Sequence, residues 1–88
     1  MTESREMVVL VEAGCRACVK AVRTAVLLRE LGIVTGLVVI DRSDDPGRFR
    51  EFGVSILPAV FINRRLAVYG EFSVDDIRQL CRTFNHDL

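Results

Sequence analysis

Residues 7–18 read MVVLVEAGCRAC, and this stretch decides the fold. Its first part, Met7 to Val11, is apolar and rich in β-branched residues, which is typical of a strand buried on both faces. Glu12-Ala13-Gly14 ends this strand, and Cys15 begins a long segment whose apolar residues have helical spacing. The two cysteines of the C-x-x-C motif, Cys15 and Cys18, are therefore predicted to lie where a buried strand passes into the first turn of a helix.

This placement favours thiol chemistry more than the spacing alone does. A cysteine at a helix N-terminus faces unpaired backbone N–H groups and the positive end of the helix dipole, and both stabilise a thiolate. Arg16 adds positive charge between the two cysteines and is predicted to tune the thiolate. Cys18, one turn later, can reach the first sulfur but lies further inside. The motif thus predicts an exposed attacking thiol and a sheltered resolving thiol, as disulfide exchange requires.

Other interpretations of the cysteines stay open at this point. The same spacing occurs in zinc sites, and two small core residues would also fit it. Three cysteines are an odd number, which argues against a framework of structural disulfides. Cys81 lies on an apolar helical stripe and is predicted to be a buried core residue. Glu12 is a candidate proton acceptor for Cys18, and the alternative is a solvated carboxylate at a strand end.

The rest of the chain predicts five further elements. A strand is expected over Gly36–Ile40, and a short helix over Pro46–Phe52 after the N-cap Asp45. Two strands, Ala59–Ile62 and Leu66–Tyr69, flank a tight turn. The last helix begins after Ser73, with Asp76 completing a capping box. Its predicted apolar stripe comprises Val74, Ile77, Leu80, Cys81 and Phe84. The predicted apolar face of the first helix comprises Cys18, Ala21, Val22, Ala25, Val26, Leu28 and Leu31.

The resulting order is β-α-β-α-β-β-α, an α/β fold. Right-handed crossovers predict that the first three strands are parallel, and the short turn makes the fourth antiparallel to the third. The sheet is therefore a four-stranded mixed sheet with helices on both faces. A chain of 88 residues buries one core, so residues 1–88 are expected to form a single domain.

Charge and hydropathy narrow the classes of partner. Twelve basic and twelve acidic residues cancel, so we expect neither nucleic acid nor an anionic membrane as a partner. The sequence has neither a recognisable signal peptide nor an apolar run long enough to span a membrane. A cytoplasmic monomer is the expectation, in a compartment that keeps free thiols reduced.

Residues 52–63, FGVSILPAVFIN, complete the pattern. Together with the upstream C-x-x-C motif they resemble the thioredoxin/glutaredoxin superfamily, and within it the small thioredoxin-like redox-active disulfide proteins. The resemblance extends from about Met7 to Phe84. It implies a minimal thioredoxin-like fold in which Cys15 is the nucleophile and Cys18 the resolving thiol. It also implies that Pro58 is a cis-proline facing the disulfide, that the Leu57 backbone pairs with an extended substrate, and that Gly70 lets this substrate approach.

The implied activity is that of a thiol–disulfide oxidoreductase without a cofactor. Its partners would be a disulfide-containing substrate protein or a small disulfide, and a reductase or thiol as electron donor. The alternative is a non-catalytic thioredoxin-like binding module that holds a metal or docks a partner protein. The chain departs from the family pattern at four places. Arg16-Ala17 replaces the usual dipeptide between the cysteines, and Gly14 replaces the tryptophan that precedes the thioredoxin motif. Val9 lies where thioredoxins bury an aspartate, and Arg64 occupies a turn position that usually prefers glycine.

Overall fold

The computed structural model describes the backbone of residues 4–86 and the side chains of residues 4–82. The elements follow in the predicted order: β1 (Glu6–Val11), α1 (Arg16–Glu30), β2 (Gly36–Asp41), α2 (Pro46–Glu51), β3 (Ala59–Ile62), β4 (Arg65–Tyr69) and α3 (Val74–His86). No helix among these residues is long and apolar enough to cross a membrane.

The four strands form one mixed sheet in the spatial order β2-β1-β3-β4. β1 pairs in parallel with β2, whereas β3 runs antiparallel to both β1 and β4. α1 packs on one face of the sheet together with α3, and α2 packs on the other. The predicted fold class is therefore confirmed. The prediction that the first three strands are parallel is wrong, because β3 is reversed.

The crossover rule does not determine this direction, because it gives only the handedness of a connection between strands that are already parallel. The 17 residues between β2 and β3 include the short helix α2 and are long enough to reach either edge of the sheet, so the pairing of β3 with its neighbours fixes its direction. The chain turns at Gly53, which has a positive φ of 64°. β3 then begins where β1 ends, with Ala59 opposite Leu10.

The core has two layers that follow the period-two alternation of β1. Met7, Val9 and Val11 face α1 and α3, while Leu10 faces α2. The buried residues of α1 are Cys18, Ala21, Ala25 and Leu28. Val26 and Leu31 are exposed, so their predicted place on the buried face of α1 is wrong. Both lie to the side of the narrow stripe that meets the sheet.

Local signals at α3 agree with the structure. The Asp76 N–H donates to the Ser73 hydroxyl at 3.1 Å, and the Ser73 N–H donates to the Asp76 carboxylate at 2.9 Å. This reciprocal pair is the predicted capping box. Cys81 is buried, as predicted, whereas the side chain of Phe84 lies outside the described residues.

Candidate active site

Cys15 is the N-cap residue of α1. Its backbone is extended, with φ −97° and ψ 110°, and its Sγ accepts a hydrogen bond from the Cys18 N–H at 3.1 Å. The positive φ of Gly14, 77°, forms the turn that delivers Cys15 to this position. The first turn of α1 contains no acidic residue, so no side chain there opposes the positive end of the helix dipole. A thiolate at Cys15 thus has a backbone donor and a favourable dipole, and the side chain is only half-buried.

Cys18 lies directly behind Cys15 and is almost completely enclosed. It is 3% exposed and belongs to the core layer between the sheet and α1. Burial raises the pKa of the Cys18 thiol from its ordinary value of 9.0 to about 11. Burial is the largest cause of this rise; the hydrogen bond with Cys15 and the negative charges of Cys15 and Glu12 contribute to it, and a hydrogen bond with the Glu12 backbone opposes it. Cys18 is therefore a protonated thiol at pH 7.

Glu12 follows β1 and is half-buried. One of its carboxylate oxygens lies 3.5 Å from the guanidinium of Arg42, which follows the parallel neighbour β2. The Arg42 N–H donates to the Val11 carbonyl at 3.0 Å, and its guanidinium lies 5.8 Å from the centroid of the Phe49 ring. Arg42 is therefore held by its backbone and by α2, and it pairs with the Glu12 carboxylate.

Leu57 and Pro58 lie at the same edge of the sheet as the cysteine pair, in the segment that leads into β3. The peptide bond between them is cis, and Pro58 is fully buried immediately before β3. Leu57 is half-buried and packs against both core layers, including the layer that Cys15 and Cys18 contact. Neither its N–H nor its C=O bonds to another residue in the described part of the chain. Leu57 therefore presents two free backbone groups close to the cysteine pair.

Gly70 directly follows β4 and lies beside Pro58. Its N–H donates to the Pro58 carbonyl at 2.8 Å, and its φ of 74° is a conformation that glycine adopts without strain. A Cβ at this position would meet no atom within 4 Å, so the space above Gly70 is open. An ion pair between Lys20 and Glu71, 3.5 Å long, joins α1 to the segment that follows Gly70.

The structure therefore brings the six predicted site residues to one edge of the sheet. Cys15 and Cys18 lie at the start of α1, Leu57 and Pro58 precede β3, and Gly70 follows β4. Arg16 lies between the two cysteines in the first turn of α1, where it is exposed and makes no ion pair with any described residue. No three His, Cys, Asp or Glu side chains converge on a possible metal position within residues 4–82.

Two clefts in the described part of the chain are lined by neither cysteine of the pair. One, of about 690 Å³, opens on the α2 face above Val8, Val38 and Phe61. A smaller one, of about 270 Å³, lies between α2 and the Leu57 segment and has Arg42 in its wall. Neither cleft is lined by a cysteine. We therefore place the chemistry at the edge of the sheet where Cys15 and Cys18 lie.

Arg42 is the residue of this site that the sequence analysis missed. It belongs to no motif, and it comes from the polar turn after β2. One signal could have found it: parallel strands end at the same edge of a sheet, so residues after β2 are neighbours of residues after β1.

Comparisons with proteins of known structure agree with this architecture. A chloroplastic thioredoxin z is similar over 94% of this chain and 80% of its own, with a TM-score of 0.79 and 18% identity. Thioredoxin-2 of the malaria parasite, a component of the parasite's protein secretion machinery, has a TM-score of 0.77 and 18% identity over 94% of this chain and 85% of its own. Thioredoxin 1 from the eubacterium Thermosipho africanus has a TM-score of 0.74 and 14% identity over 93% of this chain and 96% of its own.

No protein-family model and no curated protein sequence matches the chain. The likeness is therefore one of fold. The chain has the thioredoxin-like fold, and it carries a C-x-x-C cysteine pair at the start of α1.

Proposed function

We propose that this protein is a thiol–disulfide oxidoreductase that works through Cys15 and Cys18. The observation that carries the proposal is the asymmetry of the pair. Cys15 is half-exposed, and its Sγ accepts a backbone hydrogen bond at the start of a 15-residue helix, whereas Cys18 is buried behind it. An accessible thiol whose thiolate is stabilised, backed by a protonated one, is the arrangement that disulfide exchange uses.

The reaction transfers two electrons. The Cys15 thiolate attacks a disulfide of the substrate, so a mixed disulfide forms and one substrate thiolate leaves and takes up a proton. Cys18 then loses its proton, and its sulfur attacks Cys15 Sγ. The second substrate thiol is released and the Cys15–Cys18 disulfide closes. The substrate disulfide is reduced, the protein dithiol is oxidised, and an external dithiol or reductase restores the protein.

Substrate binding is proposed for the segment that faces the pair. The unpaired N–H and C=O of Leu57 would pair with an extended substrate backbone, as a strand edge does. Pro58 fixes the direction of that segment, and the open space above Gly70 gives the substrate room. Arg16 would stabilise the Cys15 thiolate by its charge, although solvent screens this effect at an exposed position.

The proposed partners follow from the chemistry. They are a disulfide-containing protein or small disulfide as substrate, and a reductase or thiol as electron donor. The reaction needs no dissociable cofactor. A cytoplasmic monomer fits this role, because that compartment supplies reduced thiols.

A count of free thiols distinguishes this function from a non-catalytic module that holds a metal or docks a partner. We expect a mild oxidant to remove two thiols per chain, with no bound zinc released, and a dithiol to restore both. Cys81 should stay free because it is buried. Three thiols after oxidation, or a zinc ion bound by the reduced pair, would favour the binding module.

A further inference from the structure

The two outer strands of the sheet, β2 and β4, differ in how their free edges are protected. β4 begins with Arg65 and breaks register with β3 at Ala67, which has no partner there. β2 keeps an unbroken register with β1, and it contains no proline and no charged residue before Asp41. Charges, prolines and bulges keep an edge strand from pairing with another chain. β2 is therefore the unprotected edge of the sheet.

The middle of β2 has backbone groups that can pair with a further strand. The Arg42 N–H donates to the Val11 carbonyl of β1, and in a parallel ladder every second residue bonds to the same neighbour. Val38 therefore points its N–H and C=O towards β1, whereas those of Leu37 and Val39 point away from it. Within residues 4–86 no strand lies on that outer side of β2.

An apolar stripe of α1 lies beside this edge. Val19, Val22 and Val26 are three and four residues apart, so they share one side of the helix. Lys20 lies on the other side of the buried stripe, where it pairs with Glu71 after β4. The side of α1 that carries the three valines therefore faces the β2 edge.

Val39 continues this apolar surface from the helix onto the strand. Its partner in β1, Val9, faces α1 and α3, so Val39 lies on the face of the sheet that α1 covers. Val19 is 53% exposed, and Val26 and Val39 are each 42% exposed. The strand edge and the helix side thus form one exposed apolar surface, which we call the β2–α1 surface.

We propose that two copies of this protein pair through their β2–α1 surfaces and form a symmetric dimer with a continuous sheet. A two-fold axis at Val38 makes the two β2 strands antiparallel and places Leu37 of each copy opposite Val39 of the other. The outward N–H and C=O groups then meet in complementary pairs. An axis at Val39 would instead place Leu37 opposite Asp41, an apolar side chain opposite a charged one, so the first register is favoured.

The spacing of the helices fits this dimer. α1 packs over both β1 and β2, so its axis lies about half a strand spacing inside β2. Because neighbouring strands are about 4.8 Å apart, the α1 axes of the two copies would be about 10 Å apart. Packed helices are separated by about 8–10 Å. Val19 and Val26 lie on either side of the middle of α1, so antiparallel helices place Val19 of one copy against Val26 of the other.

The interface is small and leaves both cysteine pairs accessible. It comprises one strand edge and one helix side per copy, which is less than the about 800 Å² per partner of a standard interface. We expect half of the chains to be dimeric at roughly 10–100 µM, so the dilute protein is a monomer. Leu57, Pro58 and Gly70 lie beside β3 and β4, across β1 from the dimer axis. The dimer therefore does not depend on the proposed exchange reaction.

Sedimentation equilibrium between about 5 and 500 µM tests the dimer, with a phosphine present so that no disulfide links two copies through Cys15. The mean mass should rise from one chain towards two and not beyond, because each copy has one β2 edge. Val39→Lys places a charge in the strand pair and should raise the dissociation constant at least about tenfold. Val26→Lys should weaken the dimer in the same way through the helix contact.

Two exposed leucines outside the β2–α1 surface provide matched controls. Leu66 is 42% exposed on the other edge strand, β4, and Leu27 is 44% exposed on the side of α1 that carries Lys20. Leu66→Lys and Leu27→Lys should dimerise as the wild type does. Amide hydrogen exchange tests the unsubstituted protein, because the N–H groups of Leu37 and Val39 should exchange more slowly at about 500 µM than at about 5 µM.

Three results would overturn the proposal. The first is a wild type that stays monomeric up to about 500 µM, which would leave the β2 edge to a strand of another protein. The second is a mass that continues to rise beyond two copies. The third is a dimer that the control substitutions weaken as much as Val39→Lys does.

Discussion

The proton on Cys18 should be visible in the stability of the reduced protein at alkaline pH. In the unfolded chain the Cys18 thiol ionises near its ordinary value of 9.0, whereas burial raises its pKa to about 11 in the folded chain. Between these values the folded chain keeps the proton and the unfolded chain has lost it. The free energy of unfolding therefore falls as the pH rises, by about 1.4 kcal/mol per pH unit and about 3 kcal/mol in all. This stability is fully present below about pH 9.

Cys18→Ala isolates this effect, because the variant keeps every other titrating group. We expect the difference in unfolding free energy between wild type and Cys18→Ala to shrink by about 3 kcal/mol from about pH 8 to about pH 11.5. Urea unfolding followed by circular dichroism, with a phosphine to keep the thiols reduced, measures it. Cys15→Ser should retain most of the decline, because burial is the largest cause of the shift. A difference that stays constant with pH would refute the claim that Cys18 is a protonated resting thiol.

Two further predictions concern the exchange reaction itself. Cys18→Ser should accumulate long-lived mixed disulfides with a disulfide substrate, because attack by Cys15 survives and resolution by Cys18 does not, whereas Cys15→Ser should capture no substrate. Equal amounts of adduct in the two variants, measured by mass spectrometry, would contradict the assigned roles. The pair should be less reducing than thioredoxin at about −270 mV and closer to about −200 to −230 mV, because positive charge at Arg16 favours the reduced form. Arg16→Glu should then lower the reduction potential of the pair by about 10–40 mV, as measured by titration against glutathione. An unchanged reduction potential would refute the proposed effect of the Arg16 charge.

Features governed by neighbouring residues in the chain could be predicted from the sequence. β3 has the predicted bounds, Ala59–Ile62, because Pro58 and the following turn delimit it. The capping box of Ser73 and Asp76 depends on residues three apart, and both of its hydrogen bonds are present. The N-cap position of Cys15 follows in the same way from the strand, the Gly14 turn and the helical pattern.

Features that depend on which elements meet could not be predicted in this way. Val26 has the hydropathy of a core residue, but α3 and the sheet cover only a narrow stripe of α1, so Val26 is exposed. The pairing of Glu12 with Arg42 joins residues 30 positions apart and requires the parallel register of β1 and β2. The high pKa of Cys18 likewise requires the depth of its burial, which no local pattern gives.

The direction of β3 decides whether the site can exist at all. If β3 ran parallel to β1, its first residue would lie at the edge opposite Cys15, about 20 Å from the end of β1. Pro58 could not then lie near the cysteine pair, so the two sequence-based expectations, three parallel strands and a proline facing the disulfide, exclude each other. The pairing of Ala59 with Leu10 resolves the conflict and brings Leu57 and Pro58 to the edge from which the Cys15 turn leaves.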